Sequence, residues 1–80
     1  MSTPLIFVNL SPGTMAQTII VIHEDGSTAY YPGMLRGIIG DIIKIASNEH
    51  ITNIKMHGIY DMVQPIMGEL EERGFNVVCE

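Results

Sequence analysis

Four polar residues have side chains suited to binding a small ligand. Asn9 and Ser11 follow one apolar segment of the chain, and His57 ends another. Asp61 stands at the expected start of a helix. Neighbouring parallel strands end at one edge of a sheet, where open α/β sheets bind ligands, and a helix N-terminus at that edge favours an anion. These residues predict a small polar ligand site, with ordinary turn and capping chemistry as the simpler alternative.

The histidines and the single cysteine form no recognisable catalytic or metal-binding motif. His23, His50 and His57 belong to different segments and lack the spacing of metal ligands. Cys79 would be a nucleophile if His57 lay beside it, but a lone cysteine in a strand is more often a small buried hydrophobe. We therefore predict no catalytic residue, no metal and no cofactor.

The composition indicates one small domain and favours association with a partner. The 80 residues suffice for a single domain, 1–80. Apolar residues make up 46% of the chain and charged residues only 16%. A lone monomer of this size would expose much of that apolar surface to water. We expect a second copy of the chain or another protein to cover it.

Charge and cysteine content limit the other partners and the location. Nine acidic residues stand against four basic ones, which are scattered along the chain. Phosphate binding needs clustered cations, so nucleic acid is disfavoured as a partner.

The cysteine content, the N-terminal segment and the apolar runs bear on the location. One cysteine allows no internal disulfide, which suits a reducing compartment. The N-terminal segment has no basic region typical of a secretory signal, and no apolar run is long enough to span a membrane. The expected location is the cytoplasm.

The candidate site residues are positioned by secondary-structure elements, and the first three predicted elements are strands. Residues 5–10 are almost wholly apolar, so we expect a central strand that is buried on both faces. Residues 18–23 and 27–31 follow, and the Asp25-Gly26 pair between them suits a tight hairpin turn. Pro32-Gly33 is expected to end the third strand. These segments predict an antiparallel meander.

Two amphipathic helices are predicted after the meander. Apolar residues recur at helical spacing over 35–46, with Gly37 and Gly40 inside this first helix. Each glycine costs about 1 kcal/mol relative to alanine, which suggests that the backbone there approaches the sheet or another helix closely. The second helix is predicted from Asp61, its N-cap, with Gln64 completing a capping box.

Two further strands complete the predicted sheet. Residues 51–57 lie between the helices, and residues 76–79 follow Gly74, the expected left-handed residue after the second helix. The element order is therefore βββαβαβ. Strand–helix–strand units cross over right-handedly and produce parallel pairs, so the simplest solution is a five-stranded mixed sheet of order 3-2-1-4-5. The predicted fold class is α/β, an α+β mixed sheet with two helices.

This element order resembles that of the ribonuclease H-like superfold. The resemblance rests on residues 6–14, 19–22 and the Asp25-Gly26 turn, and on the helix–strand–helix–strand order that follows. The resemblance implies the same sheet and a metal-dependent nuclease site, with acidic residues on the first strand, on the first helix and near the end of the fourth strand.

The acidic residues that such a nuclease needs are missing from this sequence. Where the nucleases of this superfold place a metal-binding aspartate on the first strand, this chain has Asn9. On the first helix only Asp41 is available, and His57 stands in place of a further acid. Because two divalent metals need several converging carboxylates, we expect the nuclease chemistry to be lost.

The third strand and the first helix carry the candidate contacts with a partner. The third strand is expected at the edge of the sheet, short and without the lysine or internal proline that usually blocks edge pairing. Tyr30 and Tyr31 must point to opposite faces, so one packs inward and the other is a candidate anchor. Gly37 and Gly40 are candidates for a close-packed interface.

The sequence therefore predicts a non-catalytic interaction or regulatory protein that acts by protein–protein association, including self-association. Two alternatives remain open. One is a degenerate, metal-dependent nuclease of the ribonuclease H type. The other is a binder of a small ligand or nucleotide at the strand-end site.

Overall fold

The described chain is a mixed sheet with two helices in the order βββαβαβ. The computed structural model describes residues 3–80. Met1 and Ser2 lie outside the described residues. They belong to the N-terminal segment that was predicted to lack a secretory signal. The elements are β1 (Leu5–Asn9), β2 (Ala16–Ile22), β3 (Thr28–Met34), α1 (Ile38–Glu49), β4 (Asn53–His57), α2 (Tyr60–Glu72) and β5 (Asn76–Cys79).

The five strands of residues 3–80 lie in the order β3-β2-β1-β4-β5. β2 is antiparallel to β1 and to β3. β4 is parallel to β1 and to β5. The tight hairpin between β2 and β3 forms at the predicted place, with Gly26 at φ 89°. The predicted fold class and strand order are therefore confirmed.

Both helices lie on the same face of the sheet. The connections β3–α1–β4 and β4–α2–β5 run across the sheet in the same direction, and right-handed crossovers in one direction place their helices on one side. The strand residues on that side, together with the inward residues of the helices, form one buried cluster. Its strand members are Ile6, Val8, Ile19, Val21, Ile54, Met56 and Val77. We call this side the covered face.

The prediction that β1 is buried on both faces is wrong. Ile6 and Val8 are fully buried, whereas Leu5 and Phe7 are half-buried and Asn9 is exposed. β1 is central, as expected, but no helix within residues 3–80 lies over its second side. β1 therefore has more apolar side chains than the two helices cover.

The first helix begins later than predicted, and its glycines make no close contact within the chain. Gly37 precedes α1 as its N-cap at φ 87°, a left-handed conformation that suits glycine. Gly40 lies in the first turn. A Cβ added at either position would meet no described atom within 4 Å. The expected close approach to the sheet or to the other helix is therefore wrong.

The second helix begins at Tyr60, and its N-cap is Ile59 instead of the predicted Asp61. Ile59 has extended backbone and gives no side-chain cap, so the capping box with Gln64 does not form. Asp61 lies in the first turn, where its charge favours the helix dipole. At the other end, Gly74 takes the predicted left-handed conformation, and the Phe75 amide donates to the Leu70 carbonyl at 3.1 Å.

Candidate functional site

The second side of the sheet, here called the open face, is rich in apolar side chains. Strand register places one row across all five strands, because each residue of the row pairs with the next. In strand order this row is Tyr30, Ile20, Phe7, Lys55 and Val78. A sheet with one solvated face normally places polar residues there. The open face departs from this rule, because four of the five side chains in its row are apolar.

The ends of this row are well exposed to water. Tyr30 is 69% exposed and Val78 is 50% exposed, whereas Ile20 and Phe7 at the centre are half-buried by their neighbours on the sheet. Tyr31 lies on the other side of β3 and packs against the buried cluster. The prediction that the two tyrosines point to opposite faces is confirmed.

Polar residues border the apolar row fully on one side and in part on the other. Towards one end of the strands, the Asn76 side chain donates to the Asn53 Oδ1 at 3.0 Å. Towards the other end, Thr18 and His57 flank Asn9 in register. Leu5 and Ile22, which pair across β1 and β2, extend the apolar centre. The open face thus has an apolar centre with an incomplete polar border.

The structure brings together only part of the predicted strand-end site. Asn9 and His57 are register neighbours at the carboxyl ends of β1 and β4, and both are exposed on the open face. Ser11 lies in the loop beyond β1, and its amide donates to the Gln17 side chain at 2.6 Å. Asp61 belongs to α2, in the helix layer on the other side of the sheet. Asn9 and His57 are thus one polar border of the open face.

Gln17 is a buried polar residue that sequence reasoning missed. It is 5% exposed, and its Nε2 donates to the carbonyls of Thr14 at 2.8 Å and of Ser11 at 3.1 Å. These bonds hold the loop between β1 and β2 against the start of β2. Its position in the sequence could have revealed this burial. Gln17 lies two residues before Ile19, and alternate residues of a strand share a face, so Gln17 points to the same covered face.

A second polar group of residues lies at the β2–β3 hairpin. His23 Nε2 is 3.3 Å from Glu49 Oε1 at the end of α1. The Ser27 hydroxyl and amide donate to the Asp25 carboxylate at 2.6 and 2.9 Å, and these bonds lower the pKa of Asp25. These residues border an open hollow of about 520 Å³. Among residues 3–80, no three His, Cys, Asp or Glu side chains are placed to hold a metal ion.

Cys79 is exposed, so the expectation of a small buried hydrophobe is wrong. It lies on the outermost strand, β5, in register with Met56. Met56 belongs to the covered face and His57, the next residue, points to the open face. Cys79 and His57 are therefore on opposite sides of the sheet, and they do not form the nucleophile–base pair that was considered.

The edges of the sheet differ from the predicted ones. β3 continues through Pro32 and Gly33 to Met34, so the edge strand does contain an internal proline. Proline is tolerated on an edge because its missing N–H faces outward, and it obstructs pairing with a further strand. The other edge, β5, has four residues. One edge strand therefore contains a proline and the other is short.

The comparisons with known proteins assign no family to this fold. No family model, no curated protein and no solved structure matches the chain. The ribonuclease H-like resemblance therefore stays a prediction. No helix within residues 3–80 has the length and apolar character needed to cross a membrane.

Proposed function

We propose that this chain is a non-catalytic interaction or regulatory protein that acts by protein–protein association through the open face of its sheet. The observation that carries the proposal is the row from Tyr30 to Val78, which is apolar at four of its five positions and crosses every strand of the sheet. Burial of such a row in an interface recovers the free energy that its contact with water costs.

The pairing of charges on the open face supports a protein partner over nucleic acid. Exposed Tyr30 and half-buried Phe7 are aromatic side chains, on which bases stack in some nucleic-acid-binding sheets. The cation in their row is Lys55, and its Nζ lies 3.3 Å from the Glu80 carboxylate. One lysine does not supply the cluster of cations that phosphate binding needs. The open face is thus chemically apolar and close to neutral.

Two tyrosines of matched exposure allow a direct test. Tyr30, on the open face, is 69% exposed, and Tyr60, at the start of α2, is 68% exposed. The photo-reactive amino acid p-benzoyl-phenylalanine is placed at one position or the other in the full chain, which is then expressed in its source cells and irradiated. Covalent adducts are identified by mass spectrometry.

We expect protein adducts from position 30 and few or none from position 60. Adducts of any protein, including a second copy of the chain, support the proposal if they depend on position 30. Equal yields from both positions, an absence of adducts, or adducts made with nucleic acid instead of protein would overturn it.

A further inference from the structure

We infer that the occupant of the open face is a second copy of this chain, packed face to face with the first. This inference rests on the proposed function and names the partner. Three features of the described residues support it: the distribution of charge, the state of the sheet edges, and the symmetry of the apolar row.

The distribution of charge favours a second copy at this face. The chain has a net charge of −5, so two copies repel each other over most orientations. Eight of the nine acidic residues lie in the β2–β3 turn and in the helices, away from the open face. The ninth, Glu80, is paired with Lys55. The open face is therefore where two identical acidic chains approach each other at the lowest electrostatic cost.

The sheet edges make face-to-face packing the favoured geometry. Edge-to-edge pairing of two copies through β3 would place Pro32 in the new ladder, where it has no N–H to donate. β5, with four residues, offers a short ladder. Two sheets that stack instead lie about 10 Å apart with their side chains interdigitated, as in β-sandwiches.

The symmetry of the row selects one arrangement of the two copies. A two-fold axis along β1, in the plane between the sheets, places the β2–β3 half of one copy over the β4–β5 half of the other. Tyr30 then contacts Val78 of the second copy, and Lys55 faces Ile20. An axis across the strands would place the two Lys55–Glu80 ion pairs against each other, whereas the axis along β1 keeps them apart.

The size of the face predicts a weak, reversible dimer. Strands about 4.8 Å apart, each with about five residues at about 3.3 Å, give five strands a footprint of roughly 400 Å² per copy. Two copies then bury roughly 800 Å² or somewhat more, near the lower limit of about 1,000 Å² for specific interfaces. We expect a dissociation constant on the order of 10 to 100 µM.

Sedimentation equilibrium of the purified full chain tests the inference. The wild type is measured from about 5 to about 500 µM, a range that brackets the expected constant. Tyr30→Glu and Val78→Glu each place a carboxylate in the buried row and are expected to raise the dissociation constant at least about tenfold. Tyr60→Glu adds the same charge outside the face and is expected to change it less than about twofold. Far-ultraviolet circular dichroism verifies that each variant is folded.

The outcomes separate this inference from the proposed function. A wild type that stays monomeric at every concentration overturns self-association, while position-30 adducts with a different protein would still support the proposed function. If Tyr30→Glu abolishes dimerisation and Val78→Glu leaves it intact, the contact lies at β3. That result overturns the face-to-face arrangement. Equal effects of Tyr30→Glu and Tyr60→Glu overturn it as well, since general charge repulsion explains them.

Discussion

The two faces of the sheet are built from similar residues and have different environments. β2 shows this most directly, because Ile19 and Ile20 are neighbours of the same type. Ile19 is fully buried on the covered face, whereas Ile20 is half-buried on the open face. The side chains alone do not decide which of them is in the core. The direction of the two crossovers decides it, because both helices fall on the side of Ile19.

The largest expected effect comes from truncating these two neighbours in turn. Ile19→Ala removes packed methyl groups from the covered face and leaves a cavity, so we expect a loss of about 2–5 kcal/mol in the free energy of unfolding. Ile20→Ala is expected to cost about 1 kcal/mol or less in the monomer, since its side chain already contacts water. Urea denaturation at low protein concentration measures both.

A milder substitution keeps this comparison measurable if Ile19→Ala fails to fold. Ile19→Val is expected to cost about 0.5–1.5 kcal/mol. Equal losses for the two alanine variants at low concentration would mean that the open face is covered within the monomer, and the distinction between the faces would fail.

A smaller effect is expected from two glycines that differ in the space around them. At Gly33, on the covered side of β3, an added Cβ would lie 2.7 Å from the Ile38 Cδ1 and 3.1 Å from the Ile19 Cδ1. We expect Gly33→Ala to destabilise the chain by about 1 kcal/mol, because those side-chain ends must shift.

Gly40→Ala, in the first turn of α1, has open space and is expected to stabilise by about 0.5–1 kcal/mol. Thermal unfolding of both variants measures the difference in sign. A stabilising Gly33→Ala would show that the covered face packs less tightly than described.

The smallest expected effect concerns Asp25, which belongs to neither face. Hydrogen bonds from Ser27 hold the pKa of Asp25 below its ordinary value of 3.8. A depressed pKa in the folded chain contributes stability above the ordinary value, and this contribution is lost as the pH falls through the folded pKa. In an NMR titration, Ser27→Ala should raise the Asp25 pKa towards 3.8, because it removes the hydroxyl donor. An unchanged midpoint would contradict the assigned cause.

The topology of the sheet was predictable because its rules are local and general. The Asp25-Gly26 pair marks the hairpin, and Gly74 ends α2 at the expected residue. The right-handedness of strand–helix–strand units then leaves one simple strand order. None of these inferences requires knowledge of which side chains touch.

What the sequence did not specify depends on contacts between distant segments. The apolar residues of β1 look the same whether one face or both faces are covered. Pro32 was interpreted as the end of a strand, yet on an edge its missing N–H costs nothing and β3 continues. Of the candidate site residues, Asn9 and His57 were placed together by register, while Ser11 and Asp61 were separated by the loop and the helix layer.

The parallel pairing of β1 with β4 has a consequence for the chain during its synthesis. Ile6 pairs with Ile54, 48 positions later, whereas Ile22 pairs with Thr28 across the hairpin. Closing the longer loop costs about 2 kcal/mol more in chain entropy, and residues 53–57 emerge from the ribosome well after the meander. Until they arrive, one side of β1 has no strand to pair with. In the finished sheet Pro32 obstructs further pairing at the β3 edge, and the β5 edge has only four residues. β1 contains no proline, so its temporary edge in the nascent chain is open to incorrect pairing.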